Sequence, residues 1–112
     1  MTQADYLALI TPFFQREFDP NETLQWVRRN RLWCATWGFN SPTNWQNKAL
    51  SFKVSGFHHK GTVLITLAWN DTYTVRLINT RGTIKKVFEE VYCDDLAELI
   101  DEQVERIADY DK

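Results

Sequence analysis

The chain is short of the residues that mark most recognisable sites. It has two histidines, two cysteines, four glycines and three prolines in 112 residues. With so few Gly and Pro, no flexible linker divides it, and no repeat or low-complexity tract interrupts it. One domain spanning residues 1–112 is the expectation. There is no Gly-rich phosphate loop, no G-x-S-x-G, no H-E-x-x-H and no C-x-x-C. No apolar run approaches the roughly 20 residues that cross a bilayer. The N-terminal MTQADYLALITPFF carries Asp5 where a secretion signal would carry Lys or Arg. A cytoplasmic protein without a membrane segment is expected, with Cys34 and Cys93 as reduced thiols packed like small hydrophobes.

Aromatic and apolar residues are plentiful. Hydrophobic residues make up 44% of the chain and aromatics 14%, enough for one core. The net charge of -2 hides a division. Residues 89–112 hold ten acids against Arg106 and Lys112, a net -8, whereas residues 20–88 hold ten bases against Glu22 and Asp71, a net +8. Such asymmetry marks a basic surface, an acidic surface, or two faces that screen each other.

The periodicity predicts helices first. Thr2 and Asp5 suit a helix start, and Pro12 breaks that helix, with Thr11 as a new cap. Asp19-Pro20-Asn21-Glu22 is a stronger start, with Asp19 as cap and Pro20 in the first turn, for a helix running to about Trp37 before Gly38 stops it. Asn40-Ser41-Pro42-Thr43-Asn44 reads as loop. Alternation of period two then predicts strands. Leu50, Phe52 and Val54 share a face, as do Val63, Ile65, Leu67 and Trp69, and Tyr73, Val75 and Leu77. A weaker strand holds Ile84 and Phe88. Asn70-Asp71 and Asn79-Thr80-Arg81-Gly82 read as hairpin turns. Leu96, Leu99, Ile100, Val104 and Ile107 recur at helical spacing after Asp95 and Glu98, which resemble a capping box. The expected fold is α+β: an antiparallel meander of three to four strands, with the N-terminal helices and the C-terminal helix packed on one face. The expected core is Leu50, Phe52, Val54, Val63, Ile65, Leu67, Tyr73, Val75, Leu77, Leu96, Leu99 and Ile100.

Several short patterns are similar to those of small uncharacterised proteins from phages and other mobile elements of gut bacteria. They are Gly38-Phe39-Asn40, Leu50 to Gly56, Ile65-Thr66-Leu67, Asp71 to Val75, and Val91-Tyr92-Cys93-Asp94-Asp95-Leu96. The resemblance spans about residues 37–100. It implies a fold and a phage-like or mobile-element setting, and brings neither an activity nor catalytic residues.

Three constellations could carry function. His58 and His59 are adjacent, so in a strand-like segment they point apart, and Cys34 and Cys93 add no metal spacing. Solvated turn histidines are the expectation, with no metal and no cofactor. In WVRRNRLWCATWGF, Trp26, Trp33 and Trp37 fall on one side of a helix with Arg28, Arg29 and Arg31 around it. With Lys48 and Lys53 these could bind single-stranded nucleic acid, or the tryptophans could simply be core and the arginines solvated or paired with the acidic helix. The acidic last helix presents Glu98, Glu102 and Glu105, either as a solvated face or as a docking surface for a basic protein. The reading adopted is a non-enzymatic accessory protein that binds a protein partner through this helix. Nucleic-acid binding through the Arg/Trp segment is the alternative, and an enzyme with an unrecognised site the third.

Overall fold

The computed structural model describes residues 3–29, 37–56 and 59–104. Helix α1 (Gln3–Ile10) passes into a 3-10 turn (Thr11–Phe13), and α2 spans Pro20–Val27. Five strands follow: β1 (Asn40–Trp45), β2 (Ala49–Ser55), β3 (Lys60–Leu67), β4 (Tyr73–Asn79) and β5 (Ile84–Val91). A second 3-10 turn (Cys93–Asp95) leads into α3 (Leu96–Val104). The strands form one antiparallel sheet in the order β1-β2-β3-β4-β5. The α+β class and the antiparallel sheet are as read from the sequence.

The strand count is five rather than three to four. The segment read as loop is β1, an edge strand. Its Pro42 lacks an N–H but is tolerated at an edge, and Ser41 takes φ 54 where the register with β2 shifts. Gln46 and Asn47 both have φ near +60, which makes a tight turn within the three-residue connection 46–48 between β1 and β2. Lys48 N–H closes that turn on the Trp45 carbonyl at 2.9 Å.

The helices cover both faces, not one. The main core joins Leu50, Phe52, Val54, Val63, Ile65, Leu67, Tyr73, Val75 and Leu77 of the sheet to Val27 of α2 and to Leu96, Ala97, Ile100 and Val104 of α3. Leu99 is half-buried against it. Trp45, Ala49, Leu64 and Ile78 form a second cluster on the opposite face with Ile10, Leu7 and Leu9 of α1 and with Phe13 and Phe14. The reason lies in V-L-I-T-L and R-L-I: Leu64 and Ile78 are apolar at the positions where alternation alone calls for polar residues. A strand apolar at both parities needs cover on both sides.

The connection from α1 to α2 therefore crosses from one face to the other around one end of the sheet. Phe18 N–H donates to the Asn47 carbonyl at 2.8 Å, and Arg16 pairs with Asp71 in the β3–β4 turn. Asp19 caps α2 as expected, accepting from Asn21 N–H at 2.9 Å with Pro20 in the first turn. Within the described residues α2 ends at Val27, and residues 30–36 lie outside them. Thr11 does not cap the 3-10 turn; its hydroxyl donates back to the Leu7 carbonyl at 2.6 Å. The β3–β4 connection is longer than a two-residue turn, running through 68–72, so Trp69 leaves the sheet face and is 74% exposed. Asn79 turns the chain into β5 as predicted, its side chain accepting from Arg81 N–H and Thr83 N–H, both at 2.9 Å.

Two buried polar contacts tie the helices to this frame. The fully buried Asp101 of α3 accepts from Trp37 Nε1 at 2.9 Å. The buried Thr23 hydroxyl of α2 donates to Tyr73 Oη at 2.9 Å, and Phe18 meets the Tyr73 ring edge-on. Burial raises the Tyr73 phenol above its usual range.

Candidate functional site

The acidic segment is built on α3. Its apolar stripe (Leu96, Ala97, Ile100, Val104) is spent on the core, which turns Glu98 and Glu102 to solvent. Glu105 lies outside the described residues. Beside this outer face runs β5, the last strand of the sheet. Lys86 Nζ reaches across to Gln103 Oε1 at 3.1 Å, so strand and helix lie side by side.

Between them is a groove of about 540 Å3, lined by Val87, Phe88, Glu89, Glu90, Val91, Asp95, Glu98, Leu99 and Glu102. Five of these nine residues are carboxylates and the other four are apolar. Among them Val87 is 47% exposed, while Phe88 and Leu99 are half-buried. The strand side owes its shape to an irregularity. Val91 pairs with Tyr73 and Phe88 with Val75, so β5 spends one more residue than β4 there, and Glu90 takes φ 56. A bulge of this kind swings consecutive side chains out of alternation. It brings Glu89 and Glu90 together on the groove that Glu98 and Glu102 border from the helix. Sequence reasoning found Glu98 and Glu102 but missed the strand half. The available signal was K-K-V-F-E-E itself, where paired charges interrupt the period of two.

Such a lining can do two things chemically. Clustered carboxylates attract cations and repel phosphate. The apolar residues beside them offer contact to the stem of a Lys or Arg, or to an apolar side chain next to it.

Among the described residues the basic set is not gathered in one place. Arg28 and Arg29 follow α2 on the main-core face, and both are exposed. The Arg28 guanidinium lies 5.8 Å from the Phe39 ring centre, and Arg29 Nη1 donates to the Asp94 carbonyl at 3.4 Å. Lys53 alternates with Phe52 and Val54, so it projects from the other face of the sheet. Lys48 is half-buried at the β1–β2 turn. Arg31 and Trp33 lie outside the described residues. Trp37 is fully buried, so it offers no open ring face for a base to stack on, and Trp26 is partly buried against the core. Arg29 also brings the basic segment against the acidic one.

The histidines differ from the expectation of two solvated turn residues. His59 is 8% exposed, with Nε2 3.4 Å from the Thr62 carbonyl. Burial pulls its imidazole below the ordinary 6.5, against the opposing effect of backbone hydrogen bonds. His58 lies outside the described residues. Among the described residues no group of three or more His, Cys, Asp or Glu is placed to hold a metal ion, and no helix is long and apolar enough to cross a membrane. Cys93 is a half-buried free thiol, and Cys34 lies outside the described residues. Compared with family models, with curated proteins and with solved structures, the chain matches none.

Proposed function

We propose that this protein acts by binding rather than by catalysis, as an accessory protein of the phage or mobile-element type. Its partner on this reading is a basic protein segment seated in the groove between β5 and α3. The observation that carries the reading is the convergence of Glu89, Glu90, Asp95, Glu98 and Glu102 around Phe88 and Leu99. A merely solvated helix face would need no apolar strip beside its acids. A basic peptide gains charge complementarity from the rim and apolar contact from the floor, and the like charge of nucleic acid is turned away. The dispersal of Arg28, Arg29, Lys48 and Lys53 and the burial of Trp37 favour this reading over nucleic-acid binding.

The test is fluorescence anisotropy with three labelled probes: a Lys/Arg-rich amphipathic peptide, its Glu-substituted counterpart and a single-stranded oligonucleotide. The basic peptide alone should bind, and more weakly as salt rises. Glu98→Lys with Glu102→Lys should lower its affinity at least about tenfold, the order expected when rim charges are reversed, with an unchanged circular dichroism spectrum. Oligonucleotide binding that is lost on Arg28→Ala with Arg29→Ala would reverse the assignment.

A further inference from the structure

Strand β5 ends the sheet, and among the described residues nothing pairs with its outer edge. Open edges are normally guarded by charge, and this one carries Lys85, Lys86, Glu89 and Glu90, all exposed. Their order is the informative feature. K-K-V-F-E-E has its bases before an apolar centre and its acids after it. Set parallel beside a copy of itself, the strand puts Lys against Lys and Glu against Glu. Set antiparallel, it puts Lys against Glu at both ends. The same guard that repels most strands accepts this one.

We propose that the outer edge of β5 pairs antiparallel with the same edge of a second copy of this chain, with Val87 on the two-fold axis. The centre follows from the ladder to β4. That ladder is regular through Lys86, Val87 and Phe88 and irregular on either side, so the straight stretch available for pairing is centred on Val87. With Val87 facing its own copy, Lys85 of each chain comes opposite Glu89 of the other, and Lys86 opposite Phe88. A two-fold axis normal to the sheet requires a residue to face itself in this way. Val87 is 47% exposed, one of the few large apolar side chains that the described fold leaves uncovered. Pairing gives it an apolar neighbour and gives the strand's outward N–H and C=O groups partners. The irregularities at Lys85 and at Glu89–Glu90 limit the pairing to a short segment around Val87. The dimer therefore belongs to the concentration-dependent class rather than the obligate one.

This inference goes beyond the peptide-binding reading and fails separately from it. It shares Glu89 with the groove, but its test reads dimer formation at Lys85, Val87 and Glu89, whereas the peptide test reads peptide affinity at Glu98 and Glu102.

The experiment is sedimentation equilibrium on the full chain across a wide concentration range. The wild type should associate to a dimer and no further. Lys85→Glu alone and Glu89→Lys alone should each weaken dimerisation by about tenfold or more, since two symmetry-related like-charge contacts are created in each case. The double variant should recover it. A second readout needs no charge change: Val87→Cys should crosslink under mild oxidation faster than the parent chain, because directly opposed residues bring their Cα atoms to about 4.5–5.5 Å. A wild type that stays monomeric at the highest concentrations would overturn the proposal. So would single reversals without effect, a double variant that remains monomeric, or Val87→Cys crosslinking no faster than the parent.

Discussion

His59 shows what one buried side chain does to the response of the whole domain to acid. Its imidazole titrates below 6.5 in the folded state because burial disfavours the cation. The unfolded chain therefore takes up the proton first. The His59 contribution is complete above about pH 6.5 and is lost as pH falls from there through the lowered folded value, below which it levels off. Melting temperature should decline over that window before the carboxylates begin to titrate. His59→Gln should flatten the decline, and thermal melts at half-unit steps of pH compare the two chains. The sequence placed this residue in a turn, correctly. It did not show that the turn folds the ring back against the Thr62 carbonyl, because burial at a hairpin end depends on neighbours distant in the chain.

At the level of strands, the backbones come close where β3 passes β4. Gly61 has φ +144 and sits opposite Asn79. A Cβ there would collide with the Ile78 carbonyl oxygen and lie 3.0 Å from the Asn79 backbone. Gly61→Ala adds that collision to a backbone conformation that L-residues rarely adopt. The loss should be at least about 1–3 kcal/mol of unfolding free energy, read from urea denaturation. Strands β2, β3 and β4 were legible because Leu50, Phe52 and Val54, and their counterparts in β3 and β4, recur at every second residue whatever lies between them. Edge strands resist this kind of reading. β1 contains Pro42 and polar residues that only an edge tolerates, and β5 loses its alternation at the bulge. The candidate site was half legible for the same reason. Glu98 and Glu102 follow from helical spacing, while Glu89 and Glu90 reach the groove through a kink that no period describes.

For the molecule as a whole, the decisive arrangement is the apolar cover on both faces. Truncating residues 1–14 would uncover Trp45, Ala49, Leu64 and Ile78. Each fully buried aliphatic side chain is worth about 1.5–3 kcal/mol, against a total stability of roughly 5–15 kcal/mol. The truncated chain should bind a hydrophobic dye and melt well below the parent. A chain covered on only one face would lose little. The one-face expectation came from giving each strand a single apolar parity, and Leu64 and Ile78 are the residues that defeat it. The charge map was legible as a count but not as a surface. The excess of bases over residues 20–88 is spread over two faces and a turn, whereas the acids of β5 and α3 converge.

The wrapping of α1 onto the far face also sets an order of events during synthesis. Ile10 leaves the ribosome early, yet Leu64 and Ile78, against which it packs, are added some tens of residues later, a delay of roughly 3–14 s at ordinary translation rates. Successive hairpins need no such wait, since every strand pairs with its neighbour in sequence. The nascent chain therefore carries an unplaced apolar helix until β4 is made, and during that interval its N-terminus is the segment that a chaperone would hold.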